Sequence, residues 1–306
     1  MSAQIGTFRR IGFIGLGVMG GPESTNLVRK AGLPVTVFDT DETKVAALVA
    51  EGATAAGSIA EIAEACDVIL LSLPGRPQVE AVVRGEGGLS PHLRSGQTVI
   101  DLSTSPVDLV QDLGSELAKK GVVFVDAPVA RTRQAAIDGT LSIMVGAPDD
   151  AVFAQVEPLL ACMASEVTHC GSTGAGALVK IMNNTVVFET VVALAEAITV
   201  ARHSGLVKPD VLFSTFSAGS AASFALSHHG MNAILPDEHR VGVFSSRYML
   251  KDVSYALEAA KAAGVELPSA TLARDLLAQT VELGYGDNYH TAVVKVIDRD
   301  RPESGR

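Results

Sequence analysis

Cysteine is scarce: Cys66, Cys162 and Cys170 are the only three in 306 residues, with no CxxC spacing. An odd, unpaired set argues against a disulfide scaffold and predicts reduced thiols in or near a core. Long apolar runs are missing too. None reaches about 18 residues without a charge or a glycine, which argues against a membrane span. The opening residues MSAQIGTFRR lack a signal peptide's apolar core, so a cytoplasmic protein is expected. Positive charge is in deficit, 24 Lys+Arg against 34 Asp+Glu, and the net charge of −10 disfavours nucleic acid as a partner. The seven histidines form no HxxxH pair, and His228 and His229 are adjacent and so diverge on a helix; no metal is expected. Internal repeats and low-complexity segments are absent. With 47% hydrophobic and 19% charged residues, the chain reads as globular and long enough for two domains.

What is present starts with a strand over residues 10–14, followed at once by Gly15-Leu16-Gly17-Val18-Met19-Gly20. A helix then runs to Gly32, and a second strand, Val35–Phe38, ends in Asp39. Strand, GxGxxG, helix, strand and acid together form the dinucleotide fingerprint in its required context. The glycines let the backbone turn tightly against a pyrophosphate lying on the helix N-terminus. Gly15, Gly17, Val18, Met19 and Gly20 are therefore the candidate cofactor residues. A carboxylate at Asp39 suits the ribose hydroxyls and repels a 2′-phosphate, and Thr40, Asp41 and Glu42 bring no arginine. NAD is favoured over NADP. Asp39 could equally cap the following helix, residues 42–50.

Strands and helices continue to alternate, with strands over 68–72, 98–101, 122–126, 141–145 and 166–169. Helices are predicted over 77–84, 107–120 (capped by Ser103-Thr104-Ser105-Pro106) and from Asp149 to about Met163. The pattern predicts a doubly wound, mostly parallel Rossmann-type sheet over residues 1–172. Ligands in such sheets bind beyond the carboxyl ends of the strands, where Leu73, Ser103, Thr104 and residues 127–131 fall.

Residues 172–204, free of proline and with glycine only at the start, read as one long helix joining the two halves. Its apolar residues, including Val179, Met182, Val186, Val191 and Ile198, predict burial on most sides. Lys180, Asn183 and Asn184 interrupt them on one face. Burying such groups requires partners, and a substrate or a neighbouring loop could supply them. Helices over 208–217, 221–233, 246–263 and 268–283, without a convincing strand, make residues 173–306 an all-α domain. The charged tail, 298–306, is expected to fray. So apolar a second half predicts a homodimer or homotetramer.

These motifs resemble the β-hydroxyacid dehydrogenase family, which includes 3-hydroxyisobutyrate dehydrogenase. The likeness rests on residues 12–20, Asp101-Leu102-Ser103-Thr104, Asp126-Ala127-Pro128-Val129, Gly139-Thr140-Leu141, the GxxxKxxNN run from Gly176 to Asn184, and Lys251-Asp252. It implies that Lys180 is the catalytic acid/base and that Asn184, with Asn183, holds the substrate. It also places Ser103 and Thr104 at the nicotinamide and has Lys251 line the closed site against substrate and cofactor.

One departure stands out. Where the family usually has Ser-Gly-Gly, this chain reads Ala130-Arg131-Thr132. The loop resembles that of sulfolactaldehyde reductase, in which an arginine meets a sulfonate, so Arg131 and Thr132 are candidate substrate residues for an extra anionic group. Otherwise Arg131 pairs with a nearby acid and Thr132 caps a turn. Glu23 stands where the family has methionine, without a functional account. The leading expectation is reversible hydride transfer between NAD and a small 3-hydroxy acid of the 3-hydroxyisobutyrate kind. The alternatives are a reductase for a sulfonated or doubly anionic aldehyde and a non-catalytic dinucleotide-binding module. Lys180 argues against both the module and an imine reductase.

Overall fold

The computed structural model describes residues 8–299, so the predicted fraying beyond residue 299 and most of the leader reading lie outside the described residues. The chain divides into two compact units, Met1–Lys180 and Ile181–Arg306, with the division inside the long helix rather than at residue 172.

The first unit is built on nine strands: β1 (Ile11–Ile14), β2 (Val35–Phe38), β3 (Thr54–Ala55), β4 (Val68–Leu71), β5 (Thr98–Asp101), β6 (Val123–Asp126), β7 (Val129–Ala130), β8 (Leu141–Gly146) and β9 (Ala164–Gly171). Their order is β3-β2-β1-β4-β5-β6-β8-β7, with β9 on β8. The first six pair in parallel, β8 runs antiparallel to β6 and β7, and β9 returns parallel to β8. β1, β4 and β5 are buried at every position, as expected of parallel strands covered on both faces. The order reverses between β1 and β4, which is where an open sheet of this kind leaves a ligand crevice.

Helices α1 (Gly20–Lys30), α2 (Glu42–Ala50), α3 (Ile59–Ala65), α4 (Arg76–Arg84), α5 (Val107–Ala118), α6 (Arg133–Asp138) and α7 (Asp150–Leu160) flank the sheet. One face packs Phe13, Leu27, Val125 and Leu159 together; the other packs Ile62, Val79, Leu113 and Phe124. Asp149 caps α7 as read, its side chain accepting the Val152 N–H. The expected serine–threonine cap of α5 does not form: Pro106 occupies the cap position and offers no side-chain acceptor.

Helix α8 (Ala175–Ser204) is continuous over 30 residues. By length and composition it could cross a bilayer, contrary to the expectation that no segment qualifies; half of its most apolar window is buried inside the protein. It is not buried on most sides, however. Phe188, Val191 and Ile198 are fully covered, while Val179, Val186 and Val200 are exposed.

In the second unit, α8 packs with α9 (Pro209–Ala218), α10 (Ser246–Ala262), α11 (Pro268–Thr280) and α12 (Val294–Ile297) around Phe188, Phe213, Val253 and Leu277. The predicted helix over 221–233 is a wider π-helical segment, Ala225–Ile234, closed by the Leu235 N–H on the Gly230 carbonyl. Asp298, expected to fray, instead sits 2.7 Å from His203 and 3.5 Å from Arg202 at the C-terminal end of α8. Cations there also suit the helix dipole.

Candidate active site

The glycine turn between β1 and α1 shows why each glycine is needed. Gly15 has φ 95° and lies against the Ser72 carbonyl; a side chain on Gly20 would run into the Gly15 carbonyl. Gly17 is different: a Cβ there meets no protein atom within 4 Å. Protein packing therefore explains two of the glycines, and the third borders open space. No side chain caps α1 at Met19. The Gly21 N–H donates to the Gly17 carbonyl at 3.0 Å and Pro22 has no N–H, which leaves the Gly20 N–H at the helix start for an anion. Val18 is exposed at the tip of the turn and Met19 is half-buried. These features fit a dinucleotide pyrophosphate.

Asp39, just beyond β2, accepts the Leu16 N–H at 2.6 Å and the Asp41 N–H at 2.8 Å. It braces the glycine turn from outside. It does not cap α2; Asp41 does, accepting from Thr43. Asp39 also lines a cleft of ≈ 670 Å³ with Phe38, Thr40, Glu42 and Gly57. No cation is among its lining residues, and the nearby Lys44 stands 3.8 Å from Asp39 and 3.4 Å from Asp41.

At the carboxyl ends of β4 and β5, Leu73 is half-buried and its N–H donates to the Ser103 hydroxyl at 2.9 Å. Ser103, expected at the nicotinamide and the substrate, is buried, and its hydroxyl oxygen accepts this main-chain N–H, tying two loops together while its O–H remains a donor. Thr104 beside it is half-buried.

The Arg131 loop also takes its structural reading in this structure. The guanidinium donates to the Thr140 carbonyl at 2.6 Å and the Ser165 hydroxyl at 2.7 Å, and pairs with Glu166 at 2.9 Å. Three protein acceptors thus occupy the fork expected to grip an anion. Arg131 has φ 88°, a strained value for a residue with a side chain. Thr132 caps α6, its hydroxyl accepting the Ala135 N–H at 3.3 Å.

On α8, Lys180 is half-buried, Asn183 exposed and Asn184 buried. The expectation of three buried polar heads therefore holds for Asn184 alone. Its partner is a protein group: Nδ2 donates to Asp252 of α10 at 2.6 Å, while its Oδ1 accepts from Asn183 at 3.2 Å. Lys251 stands 2.9 Å from the other Asp252 oxygen and 5.0 Å from the centre of the Tyr255 ring. Asp252 is the residue the sequence reading left without a role. The only local signal was its place after Lys251, since its amide partner lies on another helix.

Two sequence families cover this chain. Residues 10–171 match the NAD binding domain of 6-phosphogluconate dehydrogenase, and residues 174–297 match the family described as NAD-binding of NADP-dependent 3-hydroxyisobutyrate dehydrogenase. The chain belongs to the β-hydroxyacid dehydrogenase family. Among relatives of this β-hydroxyacid dehydrogenase, 2-(hydroxymethyl)glutarate dehydrogenase of Eubacterium barkeri is 37% identical over 287 residues, 94% of either chain. NAD-dependent L-serine dehydrogenase of Pseudomonas aeruginosa is 32% identical, over 95% of this chain and 98% of that one. The solved structure of Mycobacterium tuberculosis 3-hydroxyisobutyrate dehydrogenase with L-serine superposes with a TM-score of 0.84 at 30% identity, covering 95% of this chain and 99% of that one. The β-hydroxyacid dehydrogenase described here is thus an oxidoreductase that uses a nicotinamide dinucleotide and acts on the CH–OH group of hydroxy acids.

Proposed function

We propose that the enzyme catalyses reversible, NAD-dependent oxidation of a small 3-hydroxy acid to its semialdehyde or 3-oxo acid, with Lys180 as general acid and base. The observation that carries this reading is Lys180 itself, one helical turn beyond Gly176 and one before Asn183 and Asn184, in a chain with an intact dinucleotide turn. When bound, the nicotinamide supplies the hydride acceptor or donor. A neutral Lys180 amine takes the hydroxyl proton and the ammonium returns it, so one residue serves both directions. Asn183 and Asn184 orient the hydroxyl or carboxylate of the substrate, and Lys251, held by Asp252, adds a positive charge for an acid substrate. NAD is preferred because Asp39 and Glu42 line the cleft beside the second strand, where a 2′-phosphate would meet two carboxylates and no lining cation.

A second reading, a substrate with two anionic groups, draws support from the 37% identity to 2-(hydroxymethyl)glutarate dehydrogenase. Arg131 would serve it only by leaving Glu166. The enzyme works as a homodimer or homotetramer in the cytoplasm. The oligomer is supported by α8, where Val179, Val186, Ala193 and Val200 recur every seven residues and stay exposed, Val186 at 57% and Val200 at 67%.

The test is steady-state turnover with NAD and NADP on 2-(hydroxymethyl)glutarate, L-serine and 3-hydroxyisobutyrate, for wild type and Lys180→Ala. Lys180→Ala is expected to bind the dinucleotide normally and lose roughly 10²–10⁴ in kcat. Undiminished turnover in that variant overturns the acid/base role.

A further inference from the structure

The start of α8 is held by a side chain from the sheet rather than by a local cap. Asp126, the last residue of β6, is almost completely buried. Its Oδ1 accepts the Gly174 N–H and its Oδ2 the Ala177 N–H, both at 2.7 Å. One carboxylate therefore takes two of the N–H groups that a helix start leaves without partners. The surroundings are cut to fit it. A Cβ on Gly146 would collide with the carboxylate, and one on Gly176 would collide with the Met144 carbonyl. The first turn of α8 is thus pressed onto the ends of β6 and β8 with no side chain between. Burial pushes the Asp126 carboxyl up to about 6, against the pull of the Gly174 and Ala177 N–H groups. Both oxygens face N–H donors, so the group acts here as an acceptor.

Lys180 follows Gly176 by four residues, so the two lie on the same face one turn apart. We infer that Asp126 is a positioning residue for Lys180: with Gly146 and Gly176, it fixes the height of the first turn of α8 on the sheet and so the seat of the amine. The inference rests on the acid/base reading of Lys180. A shift of about 1 Å in such a group is enough to slow chemistry strongly.

The test compares Asp126→Asn, Gly176→Ala and Lys180→Ala with wild type. The asparagine keeps one acceptor and turns a donor toward the second N–H; the alanine pushes the same turn away from the Met144 carbonyl. Both variants should bind NAD within about twofold of wild type yet lose on the order of tenfold in kcat. Both should also move the acidic limb of the kcat–pH profile for oxidation, where Lys180 must be neutral, by roughly half a unit or more. Independently of turnover, amide hydrogen exchange of the NAD-free protein should show Gly174 or Ala177 exchanging at least about tenfold faster in Asp126→Asn. If Asp126→Asn fails to fold, Gly176→Ala carries the kinetic test. Wild-type kcat and an unmoved pH profile, beside an inactive Lys180→Ala enzyme, overturn the positioning role alone. An active Lys180→Ala enzyme overturns the acid/base reading and the positioning role with it.

Discussion

The Asp252 carboxylate accepts the Asn184 side-chain N–H at 2.6 Å while the Lys251 ammonium stands 2.9 Å from its other oxygen. This fixes which way round the amide lies. With its nitrogen given to Asp252, Asn184 can only present its oxygen to Asn183, whose Nδ2 reaches it at 3.2 Å. A buried carboxylate thus orders two amides in series, and it also holds a lysine.

Asp252→Asn tests that order. The substitution replaces one acceptor oxygen with a donor and removes the charge beside Lys251. kcat/KM for the hydroxy acid should fall about tenfold to a hundredfold, with NAD affinity within a factor of about two. Equal losses in NAD affinity and turnover would instead mark a general loosening of the second unit.

Gly17 separates packing from ligand space. Gly17→Ala adds a methyl where no protein atom lies within 4 Å, so thermal stability should stay within about 0.5 kcal/mol of wild type. Affinity for the dinucleotide should nevertheless drop by tenfold or more, because that methyl enters the room left for the pyrophosphate. Gly20→Ala must displace the Gly15 carbonyl and should destabilise the protein with or without ligand. Isothermal titration beside thermal melts distinguishes the two.

These comparisons show which features a sequence can reveal. β1, β4 and β5 announce themselves as contiguous apolar runs because parallel strands are covered on both faces. The two-residue β7 carries no such signal; its strand character comes from pairing with Ile143 and Ser142. The site residues divide in the same way. The glycine turn is local and was readable. The protein partners of Ser103, Asn184 and Arg131 lie on other elements, at Leu73, Asp252 and Glu166, so no local pattern could show what holds their hydroxyl, amide and guanidinium. For α8, composition says that a surface is apolar but not whether the same chain or a second copy covers it. That is why its exposed seven-residue stripe was mistaken for core.

Acid should weaken the second unit first. Burial holds His290 well below the ordinary 6.5, and burial with the nearby His228 brings His229 down to about 4. His290 sits edge-on to Phe188 at 5.7 Å, and His229 bonds to the Tyr289 hydroxyl. Unfolded imidazoles take up protons below about 6.5 while the folded ones stay neutral, so this stability is present above that pH and lost as pH falls. His290→Phe keeps a ring in place and removes one such group. Between pH 7.5 and 5 it should lose about 2 kcal/mol less than wild type in urea melts. Parallel pH dependences for the two proteins would exclude the histidine as the cause.

Glu23 predicts the opposite slope in the first unit. It lies in the first turn of α1, fully buried, and neither carboxyl oxygen makes a well-formed hydrogen bond. Burial raises its carboxyl from 4.5 to about 7, with only the Ser72 hydroxyl pulling the other way. The unfolded chain releases this proton near 4.5 and the folded chain holds it to about 7. Within that window the folded state binds more protons, so stability falls as pH rises and levels off above it. The full difference is about 3 kcal/mol. Glu23→Met fills the site with an apolar chain of similar length that has nothing to ionise. Its advantage over wild type should therefore be smallest near pH 4.5 and grow by about 3 kcal/mol at pH 8, measured by denaturant unfolding at both pH values. A constant advantage across that range would mean that Glu23 titrates in the folded protein as it does in the unfolded chain.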